Sequence, residues 1–131
     1  MRRGGPEMAS EFARVRGLGA AKEGVQHWWM QRLTALALVP LSLWFVYAMI
    51  VHTGADRAAI LAWLHHPRNP VLLILLIATG FHHAQLGLQV VIEDYVHHEG
   101  WKLAGVIAVK LLAVLLAVGA IVAVLRLAFG G

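Results

Sequence analysis

The sequence predicts an all-α membrane protein that crosses a bilayer as three helices. Hydrophobic residues make up 60% of the chain, charged residues only 14%, and the charges gather in short stretches separated by long uncharged runs. A soluble core of this size needs a polar shell on every side, so its charges would be spread along the chain. Here most lie in the first 32 residues and in two stretches, Asp56 to Arg68 and Glu93 to Lys102. Mean hydropathy is +0.70, well away from the balance of an average soluble domain. With 131 residues the length allows one domain. We divide it into a tail over residues 1–26 and a three-helix domain over 27–131, with spans at about 30–52, 70–96 and 103–127.

Residues 1–26 hold Arg2, Arg3, Arg14, Arg16 and Lys22 among Gly, Ala and Pro, with Glu7, Glu11 and Glu23. No apolar period runs through them, which predicts a mobile cytoplasmic tail. A secretory signal is excluded because the apolar run starts only after Arg32 and continues into a full-length span. The first uncharged run, Leu33 to Val51, has 19 residues. At helical rise it covers about 29 Å, close to the hydrocarbon thickness of a bilayer. Trp28 and Trp29 before it suit the headgroup boundary. Pro40 removes one backbone hydrogen bond, which a packed transmembrane helix tolerates as a kink.

The polar connection Gly54 to Asn69 predicts one short amphipathic helix around Ala58 to Leu64. The second span starts at Pro70, a good first-turn residue, and stays uncharged for 23 residues through Ile92. The third, Leu103 to Leu125, is interrupted only by Lys110, whose long stem can carry its ammonium toward the nearer surface. Six Lys or Arg residues lie in the tail and Arg32, against only Arg57 and Arg68 in the first loop. The positive-inside rule then predicts a cytoplasmic N-terminus and second loop, and a C-terminus on the opposite side.

The net charge of +4 is placed at loops without an interleaved aromatic surface, so we expect no nucleic-acid partner and read it as an orientation signal. The absence of cysteine excludes disulfides and thiolate-held iron–sulfur clusters in this chain. No P-loop, GxSxG or HExxH pattern points to self-contained catalysis.

The second span carries His82, His83, Gln85 and Gln89, polar groups that hydrocarbon does not tolerate unpaired. His83 lies ten residues before Glu93. That is about 15 Å at helical rise, near the membrane midplane. Gly80 and Gly87, at offsets of minus three and plus four, leave its helical face bare. A flat haem could approach such an imidazole closely. The same pattern also serves plain helix packing, with the imidazole as an interhelical hydrogen bonder. His82 points about 100° away, beside Gln85 and Gln89, and is the weaker ligand candidate. The other two spans hold no second mid-membrane His, so a haem with two axial imidazoles requires another subunit. At the end of the second span, Tyr95 at the interface could donate a hydrogen bond to a quinone carbonyl, with carboxylates and imidazoles nearby to relay protons. A Tyr there also serves as an ordinary interfacial anchor.

The run HAQLGLQVVIEDYV, His83 to Val96, resembles the haem-and-quinone segment of the D-type hydrophobic membrane anchor subunits of bacterial succinate dehydrogenase, respiratory complex II. The spacing of twelve from His83 to Tyr95 matches that family, and HWWMQRLTALALVPL, His27 to Leu41, resembles its first span. The resemblance covers roughly residues 24 to 102, and the rest agrees only in hydropathy. It implies that His83 is one axial ligand of a b-type haem whose other ligand comes from a C-type cytochrome b anchor subunit. It further implies that Tyr95 hydrogen-bonds ubiquinone with Asp94 as its neighbour, and that Arg32 lies near the haem propionates. An iron–sulfur subunit and a flavoprotein subunit would complete the complex in the bacterial inner membrane, and the chain would catalyse nothing alone. Two other functions remain open: the anchor of a quinol-oxidising fumarate reductase, and a haem-free structural or assembly subunit.

Overall fold

The computed structural model describes the backbone of residues 5–130 and the side chains of residues 24–130. Four helices follow one another: α1 (Gly5–Val51), α2 (Arg57–His65), α3 (Arg68–Tyr95) and α4 (Glu99–Phe129), with no strand among the described residues. The expected mobility of residues 1–26 falls mostly on side chains outside the described residues. The backbone is helical from Gly5 and continuous with the first span.

Three segments are long and apolar enough to cross a membrane: Gly24–Val51 with 28 residues, Arg68–Tyr95 with 28 and Glu99–Phe129 with 31. Each exceeds the roughly 20 residues that a bilayer requires. Among the described residues the buried hydrophobic side chains are only Ala48, Leu64, Leu86 and Ala128. Leu36, Leu43, Ile50, Leu111 and Leu115 are each about two-thirds exposed. Surfaces of that kind are stable against lipid or a neighbouring subunit, not against water.

Between the spans, local chemistry sets the boundaries. Gly54 at φ +80° turns the chain after α1, a conformation that costs glycine least. Asp56 accepts a hydrogen bond from the Ala59 amide at 2.8 Å and caps α2, the short helix expected around Ala58 to Leu64. The α2 helix folds back so that Trp63 stacks on Trp44, with ring centroids 5.9 Å apart, and tilts over His52 at 5.1 Å. Asn69, 2% exposed, donates to the Trp63 carbonyl at 2.6 Å and ties α2 to the first turn of α3. At the other end His98 Nδ1 accepts from the Trp101 amide at 3.3 Å and caps α4.

The middle helix is α3. It packs against both α1 and α4, which hold no close backbone approach to each other among the described residues. Its contact with α1 is antiparallel: Leu38 meets Gly80, Thr34 meets His83 and Gln31 meets Gly87. Its contact with α4 closes where Ile92 covers Gly105, with an ideal Cβ there 3.4 Å from the Ile92 side chain. Replacing Asn69 with Ala should lower the stability of the detergent-solubilised protein by about 1 kcal/mol through the lost tie to Trp63. Thermal unfolding checks this, and an unchanged midpoint would contradict it.

Candidate functional site

The α1–α3 contact places the ring of His83 against α1. Nδ1 of His83 lies 2.9 Å from Oγ1 of Thr34, a residue only 6% exposed. Thr34 in turn bonds its own helix, with Oγ1 2.7 Å from the Met30 carbonyl oxygen and 3.1 Å from that of Gln31. Back-bonding to the carbonyl four residues earlier is the usual use of a hydroxyl inside a helix. Thr34 stands two residues past Arg32, so His83 faces the first uncharged turn of α1.

His83 borders a groove of about 440 Å³ whose remaining lining, Ala35, Leu38, Val39, Ser42, Leu43 and Val46, comes from α1. These positions follow helical spacing and form one stripe. Arg32 lies three residues before Ala35 and seven before Val39, so it stands on the same stripe one turn toward the charged end. Its guanidinium lies over the Trp28 ring at 4.4 Å. The groove thus has one imidazole on its wall, and Arg32 follows the same stripe beyond its lining, packed on Trp28.

The glycines beside His83 have a different role from the one their spacing first suggests. A Cβ at Gly80 would meet Leu38 at 3.9 Å, and one at Gly87 would meet Gln31 at 3.7 Å. Their bare faces therefore point at α1 and let the two helices approach, which is the packing reading of that pattern.

His82, Gln85 and Gln89 form the polar seam expected from the sequence. With His27, Lys110 and the α4 residues Ala113 and Ala117 they line a second groove, of about 550 Å³, between α3 and α4. Gln85 donates to Gln89 at 3.2 Å and Gln89 donates to Glu93 at 2.9 Å, so the seam runs along α3 to the interface. Nε2 of His27 and Oε1 of Gln31 are buried without a hydrogen-bond partner among the described residues.

Tyr95 is the last residue of α3 and 77% exposed, and Asp94 beside it is exposed as well. Twelve residues separate Tyr95 from His83. Along a helix that is about 18 Å of rise and about 120° of rotation. The two lie at different levels of the same helix, and neither Tyr95 nor Asp94 lines the His83 groove. Thr34 is the residue that reading the sequence missed. A hydroxyl in the first turn of an apolar span is a faint signal, and only the α1–α3 register shows what it faces.

The family model described as succinate dehydrogenase/fumarate reductase transmembrane subunit matches residues 7–125. The chain belongs to this family. Among curated relatives, the succinate dehydrogenase hydrophobic membrane anchor subunit of Rickettsia bellii is 39% identical over 118 residues, covering 90% of this chain and 94% of the relative. The subunit of the same description from Rickettsia conorii is 32% identical, covering 89% and 94%. That of Paracoccus denitrificans is 32% identical over 79 residues, covering 60% and 61%. No solved structure matches the chain. The match spans all three apolar helices, so the α1–α3 contact and the exposed end of α3 both lie within the family's common region.

The packing role of the glycines predicts an asymmetry. Gly87→Leu drives a side chain into Gln31 and should lower stability by about 1–3 kcal/mol. Gly119 has open space around it, so Gly119→Ala should leave stability unchanged or raise it by about 0.5–1 kcal/mol. Thermal unfolding of the two variants tests the pair, and equal effects would contradict the assignment.

Proposed function

We propose that this chain is the membrane anchor subunit of a succinate dehydrogenase, in which His83 supplies one axial ligand of a b-type haem and Tyr95 and Asp94 form part of the ubiquinone-reduction site. The observation that carries the reading is the His83 imidazole, bonded to Thr34 through Nδ1 and bordering an apolar groove. Among the described residues no three His, Asp or Glu side chains converge as a metal site. A lone imidazole suits an iron whose equatorial donors are already supplied, as in haem. The groove fits that group on one side only: aliphatic residues of α1 suit the porphyrin face, and the second axial position falls to a C-type cytochrome b anchor subunit. When bound, the haem supplies a one-electron carrier within the membrane.

The protein's own groups set the polarity of the site. Arg32, on the groove stripe, presents a fixed charge and a fork of donors to the haem propionates. Tyr95, at the exposed end of α3, donates its phenolic hydrogen to a quinone carbonyl oxygen, and Asp94 and Glu93 beside it hold protons for the reduced oxygens. A flavoprotein subunit and an iron–sulfur subunit dock at this end of the bundle and deliver the electrons. The chain is then one part of an enzyme and catalyses no step alone. The excess of Lys and Arg before the first span supports a cytoplasmic N-terminus in a bacterial inner membrane.

A second reading has its own support. The glycine faces and the Thr34 hydroxyl meet the packing needs of α3 without any cofactor, which favours a haem-free anchor. An anchor of a fumarate reductase shares all of the architecture and differs in the direction of electron flow.

His83→Ala should abolish the b-type signal in reduced-minus-oxidised spectra of the purified complex. A normal signal with unchanged midpoint potential would remove the ligand assignment and leave the haem-free reading. Tyr95→Phe should slow succinate-dependent quinone reduction about tenfold, the worth of one hydrogen bond to the substrate. Succinate oxidation by a soluble artificial acceptor should stay near normal, and equal loss of both activities would indicate failed assembly instead.

A further inference from the structure

The hydrogen bond between Thr34 and His83 has a direction, and the direction decides which imidazole nitrogen is free. Thr34 carries one hydroxyl hydrogen. Oγ1 stands 2.7 Å from the Met30 carbonyl oxygen, a normal length for a hydroxyl donating to a carbonyl. A carbonyl oxygen only accepts, and two oxygens at that separation repel unless a hydrogen lies between them. The hydroxyl hydrogen is therefore committed to α1's own backbone. Oγ1 can face Nδ1 of His83, 2.9 Å away, only as an acceptor. A neutral imidazole has one N–H, and here it is on Nδ1. Nε2 keeps its lone pair, and no described residue bonds to it.

We propose that Thr34 is a positioning residue that holds His83 in the Nδ1–H tautomer, so that Nε2 stands ready as the electron-pair donor to haem iron. The proposal rests on the reading of His83 as an axial ligand. Thr34 is well suited to the task because it is buried, and its hydroxyl is pinned by the helix it belongs to. The orientation of the ring is thereby tied to the α1 backbone rather than to a mobile side chain. Donation from Nδ1–H also makes the imidazole more basic, which favours the oxidised over the reduced iron. Thr34 thus sets both which nitrogen is presented and how strongly it donates.

The test uses the assembled complex in detergent with Thr34→Val, which keeps the shape and removes the oxygen, beside Thr34→Ser, which keeps the oxygen. The Val variant should hold haem about tenfold less tightly, read as faster transfer to an apo-globin acceptor, and its midpoint potential should move upward. The Ser variant should match the unaltered complex in both. Unchanged retention and potential in the Val variant would overturn the proposal while leaving the ligand assignment intact. Equal loss in Ser and Val would overturn it too, since the effect would then be one of packing. If His83→Ala retains its b-type spectrum, it is the ligand reading that falls. Should the Val variant fail to assemble, the unaltered complex prepared without haem decides the matter: ¹⁵N shifts of His83 should show a protonated Nδ1 and a bare Nε2, and the reverse would refute the proposal.

Discussion

Hydrocarbon offers no hydrogen bonds, so each polar group within the three spans must find its partner in protein, and the contact between α1 and α3 is where that constraint acts most strongly. Thr34 satisfies its hydroxyl hydrogen on α1 and faces Nδ1 of His83 with the same oxygen. That one contact fixes the antiparallel register, since Leu38 and Gln31 then fall opposite Gly80 and Gly87. The approach of the helices, the orientation of the imidazole and the stripe that lines the groove all follow from it.

The central position of α3 explains why its polar residues divide into two sets. His83 faces α1, while His82, Gln85 and Gln89 face the groove against α4, where a side-chain ladder carries the polar path to Glu93. Residues at successive positions on a helix point about 100° apart, so adjacent histidines serve different neighbours. The same geometry keeps Tyr95 away from His83 in both level and direction. The proposed haem and quinone sites can then occupy one helix without sharing residues.

Much of this was legible in the residues themselves. Long uncharged runs announced the three spans, and the amphipathic stretch Ala58 to Leu64 within a polar connection announced the short helix between them. The pairing of His82 with Gln85 and Gln89 also followed from helical spacing. What spacing did not settle was the direction of a face. Gly80 and Gly87 were compatible with a haem or with a neighbouring helix, and only the position of α1 decides for the helix. Thr34 gave almost no signal alone: its importance lies in a partner 49 residues away in the chain.

The account turns on the free nitrogen of His83. A structure of the assembled complex, solved in detergent or lipid nanodiscs, tests it most directly. The account predicts iron at coordination distance from Nε2 of His83, with Nδ1 still bonded to Thr34 and the opposite axial ligand drawn from a second anchor polypeptide. Density showing the His83 ring in contact only with side chains, with no porphyrin between the anchors, would contradict it.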